Sequence, residues 1–337
     1  MIRRFLKGSF INIIRKILMT KIEEIEEKLE SHNRRMENLL CDLEKLIQFF
    51  KISTVTDVFI YSGGDVEVKD FVKGSYDTNI VLSPAERFRI IYSLASVVDT
   101  PIDKWERPTL EGIIPKYNIR VTAILDPWLM SPEITFRKPS EQIYSLEEYV
   151  QEGRLSKELY DKIVLYIEKR GNIVVSGSTG SGKTTFTNAC LKKMNEVAPN
   201  ERWYIVEDTP ELQTDNRKAT QLYIRKDQAV AAIQTALRWT PKRIIFGELR
   251  SAEVAVELMD SAWLSGHPGN ITTIHADSAA AAIPRIEGLL RQVISGQLPD
   301  FSNIIHLIVH LSFKPDFGPY VKEALTVQEI KEGTNMT

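Results

Sequence analysis

The chain has 337 residues, of which 43% are hydrophobic and 26% charged, with a formal net charge of −2. This is ordinary globular composition, and the length allows about two domains. The charge gives no reason to expect nucleic-acid binding over the whole surface. Cys41 and Cys190 form no CxxC pair, which suits a reducing compartment and excludes a four-cysteine zinc module. Because no run reaches the roughly 18 apolar residues of a membrane span, we expect a soluble or membrane-peripheral protein.

Residues 1–20 combine basic and large apolar side chains and contain no acid. The basic residues are Arg3, Arg4, Lys7, Arg15 and Lys16. This pattern predicts a basic amphipathic segment that binds an anionic membrane surface. Two alternatives remain: a disordered or loosely packed terminus, or a true start at Met19.

Residues 21–50 predict one helix, because apolar residues follow 3–4 spacing and no Gly or Pro interrupts them. The positions of this stripe are Ile22, Ile25, Leu29, His32, Met36, Leu39, Leu43, Leu46 and Phe50. Such an a/d pattern predicts a long helix that docks on its own domain or, alternatively, a coiled coil between copies of the chain.

Residues 51–140 predict a smaller α+β domain. A β-rich run, the turn at 62–65 and an alternating run after it predict a hairpin. A helix begins after Ser83, with Ser83 as N-cap, Pro84 at the first helical position and Glu86 completing a capping box. Strand-like runs follow at 119–125 and 134–136.

After a linker over 141–152, strand-like and helical runs alternate across 153–337. The strand-like runs are 172–176, 203–207, 243–246, 271–274 and 304–311. This alternation predicts an α/β domain with a parallel sheet and helices on both of its faces.

The first of these strands leads into a loop that matches G-x-x-x-x-G-K-S/T in the strand–loop–helix context that the motif requires. The loop and the start of the helix comprise Gly177, Ser178, Thr179, Gly180, Ser181, Gly182, Lys183, Thr184 and Thr185. Backbone N–H groups of such a loop surround phosphates at a helix N-terminus. We expect Lys183 to contact the β- and γ-phosphates of ATP and the Thr184 hydroxyl to bind Mg²⁺. The sequence thus predicts a RecA-like P-loop NTPase domain, preceded by the smaller α+β domain and an N-terminal helical extension.

Acidic residues end the next two strand-like runs, at Glu207-Asp208 and at Gly247-Glu248. In a parallel sheet, carboxylates at the strand C-termini face the ligand crevice. Gly247 stands where a Walker B Asp usually holds the metal. We therefore predict that Glu248 polarises the attacking water and that Glu207 holds the water shell of the metal. A solvated strand end is the alternative for either acid.

Two histidines flank the fourth strand-like run, His267 before it and His275 at its end. An imidazole beside the γ-phosphate could sense phosphate or bridge to Glu248, which is the role we predict for His275. A nucleotide-linked role is also predicted for His267. The alternative for each is a histidine whose hydrogen bonds are satisfied within the core.

Taken together, these motifs resemble the hexameric traffic ATPases of type II and type IV secretion, conjugation and type IV pili. Beside the P-loop, the residues that carry the resemblance are 205–212, 237–245, 247–250 and 265–276. The resemblance covers roughly 51–337 and leaves 1–50 outside.

The histidine stretch is most similar to the conjugal-transfer and type IV secretion branch, through Gly266-His267-Pro268-Gly269 and Ile274-His275-Ala276. The missing cysteine-rich module also argues against the type II branch. Pilus-assembly ATPases of the tight-adherence or archaeal kind remain the alternative, since they share the His-Ala ending. Ser251 stands where the family usually has Gly. We expect this difference to affect only the local turn and not the activity.

The resemblance implies a homohexameric motor that hydrolyses ATP to ADP and phosphate and works with inner-membrane components of a secretion or conjugation apparatus. It implies a cytoplasmic location, peripheral to the inner face of the cell membrane. Arg120 and Arg137 match family arginines that reach the phosphates from the N-terminal domain. A nucleotide-gated assembly scaffold is an alternative. A helicase is disfavoured because no basic stripe is present, so we expect no sequence-specific nucleic-acid binding.

Overall fold

The computed structural model describes residues 2–70, 73–114, 117–125, 131–139, 143–314 and 317–334, without the side chains of 2–18, 226, 261 and 334. The chain divides into two compact units, Met1–Pro139 and Ser140–Thr337. Among the described residues, no helix combines the length and the apolar character needed to span a membrane.

In its described residues, the first unit contains three helices and an antiparallel six-stranded sheet in the order β3-β2-β1-β6-β5-β4. The helices are α1 (Ile2–Asp42), α2 (Ile47–Phe50) and α3 (Pro84–Val97). The strands are β1 (Val55–Ile60), β2 (Asp65–Asp70), β3 (Gly74–Val81), β4 (Thr109–Ile114), β5 (Ile119–Ile124) and β6 (Glu133–Arg137). The predicted hairpin is β1–β2. The predicted capping box is present, since the Ser83 hydroxyl accepts from the Glu86 amide and the Glu86 carboxylate accepts from the Ser83 amide.

The helix predicted over 21–50 has different bounds, because α1 ends at Asp42 and a turn occupies 43–46. Within the turn, the Leu46 amide donates to the Leu43 carbonyl at 2.8 Å, a tighter i→i−3 bond. Leu43 and Leu46 are fully buried, and the neighbouring Phe49 and Phe50 are buried as well. Packing of these side chains overrides a helical pattern that contains no local breaker.

The apolar stripe of α1 falls into two parts. Leu39 is fully buried in the core of the first unit, as are the stripe residues that follow it. By contrast, Ile22, Ile25 and Leu29 are 48%, 64% and 59% exposed. The docking interpretation therefore holds only for the C-terminal part. The membrane interpretation of 1–20 rests mainly on side chains outside the described residues, although the backbone from Ile2 onward is helical.

The part of the second unit that the structure describes contains seven helices and a seven-stranded sheet in the order β13-β12-β7-β11-β10-β8-β9. The helices are α4 (Leu146–Gln151), α5 (Lys157–Glu168), α6 (Lys183–Val197), α7 (Ala229–Arg238), α8 (Ala252–Val256, continued by the π-helical Glu257–Trp263), α9 (Ala279–Leu290) and α10 (Val327–Thr334), with 3₁₀ turns at Lys226–Gln228 and Phe301–Asn303. The strands are β7 (Ile173–Ser176), β8 (Trp203–Glu207), β9 (Ala219–Tyr223), β10 (Arg243–Glu248), β11 (Ile271–Ile274), β12 (Leu307–Lys314) and β13 (Gly318–Leu325).

All neighbouring strands of this sheet are parallel except β12 and β13. Alternate residues of the central strands pack into different cores: Val174 and Ile244 join the core with α7 and α9, whereas Val175 and Ile245 join the core with α5 and α6. The predicted α/β fold with helices on both faces is confirmed. It sets the carboxyl ends of β7, β8, β10 and β11 along one edge.

Three features of this sheet differ from the prediction. The strand predicted over 304–311 runs instead from Leu307 to Lys314, because Phe301–Asn303 forms a 3₁₀ turn before it. Strands β9 and β13 are additional; they lie at the two edges of the sheet and are only partly buried. Edge strands bury fewer side chains, so their apolar pattern is weaker.

Candidate active site

The glycine-rich loop connects β7 to α6 at the shared carboxyl edge of the sheet. Gly180 and Gly182 have φ of 77° and 83°, a left-handed region that residues with a Cβ seldom adopt. A Cβ on Gly182 would also lie 2.7 Å from Cβ of Pro319. Gly182 is the N-cap residue of α6 and provides no side-chain cap. Its first N–H groups are therefore left for an anion, which they favour together with the helix dipole.

The Lys183 side chain lies inside this loop. Its Nζ donates to the carbonyl oxygens of Gly177 and Ser178, each at 3.0 Å, and lies 3.2 Å from Nδ1 of His275. Burial lowers the pKa of Lys183. The nearby carboxylates of Glu248 and Glu211 oppose this shift. The loop thus holds an ammonium group in place at its centre.

His275 lies between Lys183 and Glu248. An ammonium group only donates hydrogen bonds, so Nδ1 of His275 must present its lone pair to Lys183. The ring proton then resides on Nε2, which lies 2.8 Å from Oε1 of Glu248. The predicted neighbourhood of His275, Glu248 and the P-loop is present in the structure.

Arg250 is a further member of this cluster that the sequence analysis did not single out. Its guanidinium donates to Oε2 of Glu248 at 2.5 Å and to Oδ2 of Asp208 at 3.0 Å. Asp208 follows β8 and Glu248 ends β10, so Arg250 joins the ends of two neighbouring strands. In the sequence, only the position of Arg250 directly after the Walker B stretch could have indicated these contacts.

The structure places Glu211, not Glu207, beside the Thr184 hydroxyl, which donates to Oε2 of Glu211 at 2.9 Å. Glu207 is 2% exposed and faces inward. Its Oε1 accepts from the backbone amides of Glu211 and Leu212 at 3.1 and 2.7 Å, and its Oε2 accepts from Gln221 at 2.8 Å. Glu207 therefore anchors the loop that presents Glu211.

The same geometry gives a reason for the glycine in the Walker B position. A Cβ on Gly247 would lie 3.3 Å from Cγ of Glu207, tighter than ordinary van der Waals contact. The Glu207 side chain thus occupies part of the space that an aspartate at 247 would need.

Burial of Glu207 leads to a prediction for the pH dependence of stability. Burial raises its pKa from 4.5 to about 7, although its three donors oppose the shift. Below pH 4.5 the carboxyl is protonated in both states; as the pH rises to about 7 the unfolded chain ionises first, so the free energy of unfolding falls.

We expect the Glu207→Gln variant to lack this fall in unfolding free energy with rising pH. Between pH 4.5 and about 7, the unfolding free energy of the variant relative to wild type should rise by on the order of 2–3 kcal/mol. Urea unfolding followed by tryptophan fluorescence measures it. If the unfolding free energies of the two proteins changed in parallel with pH, the raised pKa of Glu207 in the folded protein would be contradicted.

His310 is a buried titratable residue beneath the loop that the sequence did not reveal. Its Nδ1 lies 3.0 Å from the hydroxyl of Ser176, the residue before Gly177, and burial lowers its pKa. His310 therefore supports the base of the P-loop as a neutral ring. The alternation pattern placed it in a strand but could not indicate its partner.

His267 lies away from the loop, and the two arginines belong to the first unit. His267 precedes β11 and so lies at the edge of the sheet opposite the P-loop, with Nδ1 3.1 Å from the Pro241 carbonyl. The structure does not bring it to the loop. Arg120 and Arg137 are directly opposed on β5 and β6 of the first unit, and Arg137 pairs with the buried Asp57 at 2.9 Å. Their contact with nucleotide remains a prediction.

The residues around Thr184 suit Mg²⁺ bound together with phosphate. In the described part of the chain, no group of three or more His, Cys, Asp or Glu could hold a metal by itself. Mg²⁺ usually keeps several waters and takes one or two protein oxygens plus phosphate oxygens. The Thr184 hydroxyl and the Glu211 carboxylate supply such oxygens, so the donor set fits this ion.

A loop of this form, between a central parallel strand and a helix and flanked by acids from neighbouring strands, defines a P-loop nucleotide-binding domain of the RecA-like class. The chain matches the family model described as "Type II/IV secretion system protein" over residues 106–310. The chain belongs to this family, which confirms the resemblance seen in its motifs.

Individual relatives agree with this assignment. The chain is 30% identical over 304 residues to the conjugal transfer protein TrbB of Rhizobium radiobacter, covering 89% of this chain and 93% of that protein. It is 27% identical over 309 residues to the type IV secretion system protein VirB11 of Bartonella quintana, covering 78% and 84%. The X-ray structure of the Legionella pneumophila ATPase DotB shares the fold, with a TM-score of 0.60, 21% identity and coverage of 88% and 83%.

Proposed function

We propose that this chain is the ATP-hydrolysing subunit of a homohexameric ring that powers type IV secretion or conjugative transfer. The observation that carries the proposal is the convergence of Lys183, the Thr184–Glu211 pair and the His275–Glu248 pair at one edge of the sheet. Membership of the secretion family supports the choice of process.

Each of these side chains has a distinct task in hydrolysis. The loop amides and Lys183 bind the β- and γ-phosphates and stabilise the charge of a loose transition state. Glu248 orients the attacking water and accepts its proton as the bond to the γ-phosphorus forms and the bond to the ADP oxygen breaks. His275 positions Glu248 from the side of Lys183.

Thr184 and Glu211 would hold Mg²⁺, which when bound neutralises charge on the phosphates. Thr184 provides the oxygen nearest the loop, and Glu211 hydrogen-bonds to that hydroxyl from a loop anchored by Glu207. This arrangement moves the metal-side role predicted for Glu207 to Glu211.

We expect Glu211→Gln to raise the Mg²⁺ concentration needed for half-maximal ATP hydrolysis by about 10-fold or more, because the variant loses the negative charge beside the metal, and even outer partners of a metal site typically contribute about 10–100-fold to affinity. Titration of Mg²⁺ at saturating ATP measures this. Glu158→Gln, an exposed substitution on α5, is the matched control and should leave the requirement unchanged. An unaltered requirement in Glu211→Gln would remove Glu211 from the metal side.

Nucleotide is expected to promote the ring. Arg120 and Arg137 lie outside the P-loop unit, and the family resemblance implies that ATP lies between the two domains of each subunit. Light scattering of the full chain with ATP and Mg²⁺ should therefore give a hexamer mass. A monomer at micromolar concentration under these conditions would contradict the proposed assembly.

Steady-state phosphate release at saturating ATP tests the motor itself. Sustained release supports an enzyme, whereas binding without turnover would replace the proposal with a nucleotide-gated scaffold. We place the ring in the cytoplasm, peripheral to the inner face of the membrane and in contact with inner-membrane components of the apparatus. The unpaired Cys41 and Cys190 suit that reducing compartment.

A further inference from the structure

The N-terminal part of α1 displays apolar side chains that no described residue of its own unit covers. Every side chain from Met19 to Glu30 is exposed, including Ile22, Ile25 and Leu29. These three residues continue, in the same heptad register, the stripe whose C-terminal part is buried in the core. The N-terminal stripe, defined as Ile22, Ile25 and Leu29, is thus an extension of a surface already used for packing.

This part of the helix has little support within itself. The helix from Ile2 to Glu30 would be about 40 Å long. Glu24 and Lys28 stand at the spacing of a favourable i,i+4 pair, but Glu23 with Glu27 and Glu26 with Glu30 are like-charged at the same spacing. Because the like-charged pairs outnumber the favourable pair, tertiary or quaternary packing of the stripe must supply its stability.

The charges beside the stripe indicate what covers it. With Ile22 and Leu29 at a positions and Ile25 at d, Lys21 occupies a g position and Glu26 the e position of the next heptad. In a parallel pair of identical helices these two side chains meet as opposite charges; in an antiparallel pair, lysine would face lysine. The segment 19–30 carries five glutamates and two lysines, which opposes contact with an anionic membrane.

We propose that the N-terminal stripe packs in a parallel, in-register coiled coil against the same stripe of α1 from another copy of this chain. The parallel direction also rests on the proposed ring, since cyclic symmetry points every α1 the same way. The coiled coil joins neighbouring subunits through the first unit, independently of the nucleotide site.

Disulfide trapping in the full chain without nucleotide tests the pairing. Cys41 is exposed and is first replaced by Ser, whereas Cys190 is fully buried and can stay. Ile25→Cys at the d position should then give a disulfide-linked dimer under mild oxidation. The matched control Glu27→Cys, at the outward f position two residues on, should not, because its Cα atoms would lie beyond the about 7 Å that a disulfide spans. Adding Ile22→Ser and Leu29→Ser to the Ile25→Cys chain should abolish the dimer.

Three outcomes would overturn the proposal. They are no disulfide at Ile25→Cys, equal trapping at both positions, or monomeric Ile25→Cys protected from oxidation by anionic vesicles, which would indicate a membrane contact. Disulfide trapping needs neither ATP nor turnover. Phosphate release by the same variants therefore shows whether only the coiled coil or also the proposed ATPase function has failed. Each substituted position is exposed, so the fold should be retained.

Discussion

Replacing Lys183 with Ala is expected to abolish ATP turnover and to weaken ATP binding. Lys183 Nζ is held by the carbonyls of Gly177 and Ser178 and by His275, at the centre of the loop. Loss of one preorganised donor to the transition-state charge typically lowers the rate by about 10²–10³-fold. Because the same ammonium also contacts the ground-state phosphates, affinity should fall as well.

Phosphate release and displacement of a fluorescent nucleotide measure the two effects of Lys183→Ala separately. Lys322→Ala is the matched control, because it removes the same charge from an exposed position in the same unit. Turnover of Lys183→Ala near the wild-type rate would show that the P-loop assignment is wrong. Circular dichroism should be unchanged in both variants.

Much of the second unit was predictable because its central strands are buried on both faces and therefore consist of nearly continuous apolar residues. Ile173–Ser176 is buried at every position, as such a strand between two helical layers should be. The edge strands β9 and β13 were missed because their residues are mostly half-exposed. The break of the first helix at 43–46 was missed for another reason: tertiary packing alone produces it.

In the site, residues fixed by a motif were predictable and residues fixed by loop geometry were not. Lys183 and Thr184 follow from the P-loop pattern, and His275 from its place at a strand end. The exchange of Glu207 for Glu211 depends on how the loop after β8 folds back on the Glu207 carboxylate. No periodic pattern specifies that path. The sequence therefore could not show which of the two acids, Glu207 or Glu211, lies beside Thr184.

Glu248 is the residue whose loss should separate binding from chemistry most clearly. Its two carboxylate oxygens lie 2.8 Å from Nε2 of His275 and 2.5 Å from the Arg250 guanidinium. Glutamine keeps the shape and can keep an oxygen facing Arg250. It removes the negative charge and the basicity that a water-activating group requires, and its NH₂ group then replaces the oxygen that faced Nε2 of His275.

We therefore expect Glu248→Gln to bind ATP with near wild-type affinity while turnover falls by about 10²–10⁴-fold, the usual contribution of a general base. Glu253→Gln, on an exposed face of α8, is the matched control and should keep full turnover. Single-turnover phosphate release measures the chemical step, and nucleotide displacement measures affinity. An equal loss of binding and turnover would instead make Glu248 a structural or metal-side residue, because a group that acts only in the transition state lowers the rate without changing ground-state affinity.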